Sequence, residues 1–511
     1  MGARHRVRRG LRCHRPGPGW LARGPAVLRQ RGRDLTDVSD LSRSTHTGRP
    51  RVVVVGAGFA GLAAVKALKA APVEVVLLDQ HNHHVFNPFL YQVATALLEP
   101  VEAANPVRAL VRGLRNLTFR VATVSDVHLR SQQVGTDRGV VAYDYLILAA
   151  GSVSDYFHSA DIAARSFGIK DLGEALELRN QVLSRFEQAS WAADPVERSR
   201  LLSFAVVGGG PTGVEFAAAL AVLVEGSLAK DFPSITREEV SIVLVEGSEA
   251  PLASFAKGLQ RSAARALANK GVRVESKAMV ADVDVEGLLL KDGRRIEAAT
   301  VVWAAGVTAN PLVESLGVEL GSKRRVPVTA TLQLAGHPEV FVVGDLAEIP
   351  GRSKQPLPML AQVGLQSGGH AGRAIEAMLA GRRVARFRYH NLGTMAVVGR
   401  NDGIAQIGPL HLSGFVGWLA WLFLHIARIH GLSGRFLVLV SWISGFVFAD
   451  RPVRLVVGPR KAIPHASQTA GRPGGADAIE LPSPSVATVD EWGPAAALAW
   501  WTQDLPGRER T

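Results

Sequence analysis

One pattern occurs twice in this chain and constrains its fold more than any other feature: an apolar β-branched run, three glycines spaced G-x-G-x-x-G, and a helix-forming stretch. In the first copy, residues 52–55 precede Gly56, Gly58 and Gly61, and a second apolar run over 73–78 ends at Asp79. In the second copy, residues 204–207 precede Gly208, Gly210 and Gly213, and the acid closing the next run is Glu246. The glycines serve a tight turn, a close approach of backbone to pyrophosphate, and close helix–strand packing. The helix that follows offers unpaired N–H groups and a positive dipole end to phosphate. The acid at the end of the second strand is placed to accept hydrogen bonds from an adenosine ribose. The longer interval before Glu246 is explained by an insertion around 228–239. A carboxylate there binds a ribose 2′-OH and repels a 2′-phosphate, so the second unit should prefer NADH to NADPH.

Two such units imply two dinucleotides and an α/β chain with two Rossmann-like dinucleotide-binding domains. A hydride relay from NADH to a bound flavin is the economical use of the pair. Three further segments belong to the same plan. YDYLILAAGSVSDY, with Ala150 and Gly151, and TVVWAAGVTANP, with Gly306, are strands ending in small residues that let the chain pass a cofactor. VFVVGDLAEIP is a strand that delivers Asp345, where it could meet ribityl or pyrophosphate oxygens.

Composition narrows the chemistry. The one cysteine, Cys13, excludes a disulfide framework, Cys-ligated zinc, a protein-held iron–sulfur cluster and a redox dithiol. His81, His83 and His84 cluster after a strand but lack a Cys or carboxylate ligand set, so no metal is expected. The net charge of +13 is uneven: residues 1–50 hold 12 basic and 3 acidic side chains, and 351–461 hold 14 and 3, while 51–350 is slightly acidic. The leader, 1–49, reads as a disordered basic extension without the apolar run of a secretory signal, and no aromatic platform accompanies its charge, so nucleic acid is not an expected partner.

GAGFAGLAAVKAL, HNHHVFNPFLYQVATALLEP, GGGPTGVEFAAAL, VFVVGDLA and LAQVGLQ occur in the order seen in type II NADH dehydrogenases, and the chain resembles that family over roughly residues 50–450. These are single-subunit, membrane-associated FAD enzymes of the two-dinucleotide-binding flavoprotein superfamily. The resemblance implies FAD on the first unit and NADH, as substrate, on the second. It also implies a discontinuous FAD domain, 51–160 with 311–390, around an NADH domain at 161–310. Relatives that pass electrons to a cysteine pair are excluded by composition, so electrons must leave the flavin for an external acceptor. In LPMLAQVGLQSGGHAGRAIEAML, Gln362 and Gln366 are i, i+4 neighbours on one helix face, and their amides could hydrogen-bond quinone carbonyls and the flavin edge. In the resembled family this helix start, with Ala361, lies at the flavin beside the quinone; Gly364 stands where alanine is frequent. Glu215 falls in the first turn of the second glycine helix, which favours a carboxylate. In the family this glutamate lies near the flavin–nicotinamide junction and is discussed in proton transfer.

Residues 412–448 carry two apolar runs, 415–427 and 436–448, interrupted by Arg428, His430, Gly434 and Arg435. Neither reaches the roughly 20 residues needed to cross a bilayer. With Trp418, Trp421 and Trp442 as interfacial residues and arginines meeting anionic head groups, they read as a membrane-associating helical sector within 391–461, lying in one leaflet. The tail, 462–511, reads as disordered. The expected function is transfer of hydride from NADH to FAD and of two electrons to a membrane quinone, menaquinone or ubiquinone, without ion pumping. The expected location is the cytoplasmic face of the cell membrane, where NADH is, and a homodimer is compatible. Two alternatives stand beside it: a soluble reductase for another acceptor such as ferredoxin, and a non-catalytic NADH-binding membrane protein.

Overall fold

The valine run of the first pattern forms strand Arg51–Val55, buried at every position and paired in parallel on both sides. A near-continuous apolar run is what a strand covered on both faces requires. The computed structural model describes residues 48–351, 355–428, 432–447 and 454–457. These fall in the first of two compact units, Met1–Pro464. The basic leader up to residue 47 with Cys13, His430 between the apolar runs, and the 462–511 tail lie outside the described residues.

Two sheets organise the chain. The first runs in the order Gln333–Leu334, His337–Val342, Tyr145–Leu148, Arg51–Val55, Glu74–Asp79 and Leu117–Val121, parallel except for its Gln333–Leu334 edge. The second is parallel throughout, in the order Val272–Ser276, Ser241–Glu246, Ser203–Val207, Thr300–Trp303. Both place the glycine strand next to the strand that ends in the acid. The chain leaves the first sheet through Ser152–Ser154 and returns through Val307–Ala309, and these two short strands pair antiparallel. Each begins just after a small-residue turn, at Gly151 and at Gly306. The insertion before Glu246 is a helical extension over Val224–Asp231 and a loop leading to the short Arg237–Glu239 turn.

Helix Ala361–Leu379 packs on the first glycine helix, Phe59–Ala67, through a stripe of glycines one turn apart. A Cβ at Gly368 would lie 2.0 Å from the Ala60 carbonyl oxygen, and one at Gly372 2.7 Å from that of Ala64. Backbone-to-backbone contact of this kind fixes the start of the helix, with Gln362, over the first nucleotide unit.

Beyond it, strands Thr394–Val397, Gly403–Ile407 and Leu410–Ser413 form an antiparallel sheet. It leads into helices Gly414–Arg428, of 15 residues, and Leu432–Val447, of 16. Among the described residues, the helical run long and apolar enough to span a bilayer is Pro211–Asp231, and most of it is buried in the protein. The shorter C-terminal helices instead expose apolar side chains, with Phe423 and Phe436 keeping 78% and 66% of their surface.

The glycine stripe makes a paired prediction. Gly368→Ala should lower stability by about 1–3 kcal/mol through overpacking against backbone. Gly369→Ala, whose Cβ would meet only the flexible end of Arg373 at 3.3 Å, should be neutral or stabilising by up to about 1 kcal/mol. Thermal midpoints of the two variants decide it.

Candidate active site

The two glycine turns are built alike. Gly56 N–H donates to the Leu78 carbonyl at 2.7 Å, and Gly208 N–H to that of Val245 at 2.8 Å. The next amide in each turn is held by the acid: Ala57 N–H donates to Asp79 Oδ2 at 2.6 Å and Gly209 N–H to Glu246 Oε2 at 2.5 Å. The other oxygen of each carboxylate accepts from the following turn, from His81 N–H at 2.7 Å and Ser248 N–H at 2.7 Å. A carboxylate has about four acceptor sites, so each acid retains capacity for ribose hydroxyls.

Space around the glycines separates packing from binding. A Cβ at Gly61 would sit 1.8 Å from the Gly56 carbonyl oxygen and one at Gly213 2.0 Å from that of Gly208, so these positions close the helix onto the turn. At Gly58 and Gly210 a Cβ would meet no heavy atom within 4 Å. Both are extended residues preceding helices Phe59–Ala67 and Pro211–Leu223, and neither helix start has a side-chain cap. Unpaired first-turn N–H groups therefore open onto free volume, which fits a pyrophosphate at each turn. Gly151, with φ +73°, and Gly306, with φ +157°, are equally open, and Ala150 precedes the former at the end of strand Tyr145–Leu148. The residues present fit two dinucleotides.

Asp345 lies in the short turn Gly344–Leu346, where its Oδ2 accepts from Ser152 Oγ at 2.6 Å and stands 3.8 Å from Lys170 Nζ. Ser367 ties that turn to the glutamine helix by accepting from Gly344 N–H at 3.0 Å. The histidines have local roles. His84 is buried with Nδ1 3.1 Å from the Ala57 carbonyl oxygen, and the edge of its ring meets Phe59. No group of three or more His, Cys, Asp or Glu gathers as a metal site among the described residues.

The amides of Gln362 and Gln366 engage protein backbone. Gln362 donates to the Gly393 carbonyl and accepts from Leu392 N–H, both at 3.0 Å. Gln366 donates to the His390 carbonyl and accepts from His390 N–H, both at 2.9 Å. Together they grip residues 390–393 in the manner of a neighbouring strand. Glu215 meets the continuation of the same stretch, accepting from Val397 N–H at 3.2 Å.

Burial pushes the Glu215 carboxyl up to about 8, against the opposing pull of the Val397 N–H. A helix N-terminus stabilises a carboxylate by at most about 2 kcal/mol. A pKa unit corresponds to about 1.4 kcal/mol, so desolvation outweighs the dipole that favours the ionised form. Trp421 also departs from its reading as an interfacial residue: it is 3% exposed. Its ring stacks on His425 at 4.1 Å and approaches Trp442 at 5.6 Å. Trp442 in turn donates to Gln92 Oε1 at 2.8 Å.

The pattern describing the pyridine nucleotide-disulphide oxidoreductase family matches residues 50–368. The chain is 40% identical over 418 residues to the type II NADH:quinone oxidoreductase Ndh of Mycobacterium tuberculosis, covering 79% of this chain and 89% of that one. It is 39% identical to NdhA of the same organism, covering 78% and 88%. The chain belongs to the type II NADH:quinone oxidoreductases. Among solved structures, the NDH2 of Plasmodium falciparum in complex with NADH shares the fold at a TM-score of 0.74 with 18% identity, covering 79% of this chain and 99% of that one.

For a member of this family, the residues that sequence reasoning missed are the stretch from His390 to Val397, Ser367 and Trp421. HNLGTMAV reads as a loop entering a strand, and its polar partners lie 24 to 182 positions away. The prediction here concerns nucleotide choice. Glu246→Gln keeps an acceptor for Gly209 N–H but removes the charge, so the ratio of kcat/KM for NADPH over NADH should rise roughly tenfold or more, an effect of about 1.4 kcal/mol. An unchanged ratio would remove Glu246 from ribose recognition.

Proposed function

We propose that this chain is a membrane-docked, FAD-dependent NADH:quinone oxidoreductase that moves no ions across the bilayer. The observation that carries the reading is the pair of equivalent glycine turns, each open at its second glycine and backed by an acid. A chain with two dinucleotide sites and no cysteine among its described residues has to hand electrons to something outside itself. FAD takes the first turn, with Asp79 at the adenosine ribose and Asp345 toward ribityl or pyrophosphate oxygens. NADH takes the second, with Glu246 at its ribose. The domain division 51–160 with 311–390, around 161–310, is part of this reading, supported by the short paired strands through which the chain crosses.

Bound FAD would supply the two-electron carrier between NADH and quinone. The protein's own residues manage position and protons. NADH yields a hydride, two electrons with one proton, whereas a quinone takes up two electrons and two protons, so one further proton must come from solvent through the protein. Glu215, buried and protonated at neutral pH, is suited to hold it. Gln362 and Gln366 fix the stretch at 390–393, and each amide keeps one hydrogen and one acceptor site for a quinone carbonyl or the flavin edge. Ala361 opens that helix with a side chain small enough to leave the flavin room.

The C-terminal helices dock in one leaflet. Phe415, Val416, Leu419 and Phe423 on one, and Phe436, Leu437, Val440 and Ile443 on the other, are exposed apolar side chains. Arg428 and Arg435 lie where the two helices meet, in a basic stretch suited to an anionic leaflet. The sequence of helices Gly414–Arg428 and Leu432–Val447 holds no Asp, Glu or Lys that could relay ions, which supports quinone reduction uncoupled from ion transport. Because NADH is cytoplasmic, the docked face is the cytoplasmic one.

A single set of measurements tests this. Anaerobic NADH should bleach the flavin of the holoprotein, and a short-chain quinone should restore its colour; absence of bleaching overturns the enzymatic reading. In the same samples, Phe423→Glu with Phe436→Glu should abolish co-sedimentation with anionic lipid vesicles while flavin bleaching persists. Each phenylalanine is worth about 1.5–3 kcal/mol of apolar burial, at least tenfold in partitioning. Unaltered vesicle binding would refute the docking surface.

A further inference from the structure

We propose that Met279 is the platform on which the adenine ring of NADH rests: its thioether side chain lies open beside the turn that follows Glu246. The inference rests on the proposed reading of the second glycine turn as the NADH site, and adds the side chain that meets the base.

The direction of the base follows from the shape of the nucleotide. On a ribose, the carbon that bears the base adjoins the carbon that bears the 2′-hydroxyl, and the 5′-carbon leading to the phosphates leaves from the other side of the ring. With pyrophosphate at the open Gly210 turn and Glu246 at the ribose hydroxyls, adenine points away from the glycine helix. It meets the rim beyond the acid, which two segments form. Ala278 N–H donates to the Glu246 carbonyl at 3.0 Å and Lys277 N–H to that of Ser248 at 2.8 Å, so residues 277–279 run alongside 246–248.

Met279 is the large apolar side chain on that rim, and half of its surface is exposed. Its sulfur packs against Gly247: a Cβ there would stand 2.5 Å from Met279 Sδ. Gly247 has no left-handed backbone that would demand glycine, so clearance for the thioether is what an added side chain would remove. The shared fold does not itself call for a methionine. In the first unit Ala122 N–H donates to the Asp79 carbonyl at 2.9 Å, as Ala278 does to Glu246. The next residue there is Thr123, whose N–H and carbonyl both engage Asp137. A long, polarizable thioether gains contact with an aromatic ring without a charge or a strong hydrogen bond. It therefore suits the face of an adenine ring, which in turn covers apolar surface that otherwise meets water.

The test uses the holoprotein, with its FAD site filled, and ADP-ribose, which carries the adenosine half of NADH without the nicotinamide. By calorimetry, Met279→Ala should bind ADP-ribose about three- to tenfold more weakly than wild type, the size of one sulfur–ring contact. Met279→Leu, similar in volume, should recover most of that loss. Gly247→Ala should weaken binding by displacing the sulfur, and should add nothing in the Met279→Ala background. Flavin bleaching reads the same contact from the other end. In Met279→Ala, kcat/KM should fall for NADH and stay unchanged for reduced nicotinamide mononucleotide, which has no adenosine. Equal ADP-ribose binding by wild type and Met279→Ala overturns the proposal, and so does an equal loss of kcat/KM for the mononucleotide. A wild type that takes up no ADP-ribose is a separate result: it strikes the NADH reading of the second turn, and the platform with it.

Discussion

The proposed catalytic centre depends on one extended stretch, from His390 to Val397, and on the side chains that engage it. Over 390–393 its backbone N–H and C=O groups are met by side chains from other elements rather than by a neighbouring strand. Here Gln366 and Gln362 supply a donor and an acceptor each, as a neighbouring strand would, and Glu215 takes the N–H of Val397. The glutamines start a helix that rests, through Gly368 and Gly372, on the first glycine helix. Glu215 is the fifth residue of the second glycine helix, Pro211–Leu223, and so sits just past the first turn in which its sequence position had placed it. The stretch thereby connects both nucleotide units by polar contacts, and its strand leads through the antiparallel sheet to the C-terminal helices. Further ties hold that sheet to the second unit: Lys270 Nζ to Asp402 Oδ2 at 2.7 Å and Ala256 N–H to Gln406 Oε1 at 2.9 Å.

The same arrangement sets the electrostatics. Glu215 and His425 titrate in opposite senses under one cause, loss of water: the acid is raised to about 8 and the base lowered to about 4. Between those limits both are neutral, and His425 lies among the rings of Phe86, Phe89 and Trp421. The cost of burying the acid also has a sign. With its native value above the ordinary 4.5, Glu215 binds more protons folded than unfolded between those values, so its contribution to stability falls as pH rises from 4.5 to about 8.

How much was legible in the sequence follows from the range of the interactions. The nucleotide turns were readable because their requirements are local. A glycine whose Cβ would strike the carbonyl five residues earlier, as at Gly61 and Gly213, must recur at that spacing, and the acids follow at the ends of adjacent strands. The α/β class followed from those patterns. Gln362, Gln366 and Glu215 were identifiable as a set, but their shared partner was not. The bonds from Gln366 to His390 and from Glu215 to Val397 depend on tertiary placement with no periodic signature. Trp421 was misjudged for a related reason: composition marks tryptophan as interfacial, while two of the rings that surround it, Phe89 and Trp442, reach it from other helical segments. A helix with one wet and one buried face carries both kinds of tryptophan.

The central claim is that the buried Glu215 carboxyl, held by the backbone N–H of Val397, keeps its proton at neutral pH. Infrared difference spectroscopy of the holoprotein against pH tests it most directly. The carbonyl band of a protonated carboxylic acid should be present at pH 7, disappear with a midpoint near 8, and be missing from Glu215→Gln. A wild-type spectrum with no such band at pH 7, or a band that persists in Glu215→Gln, would contradict the account.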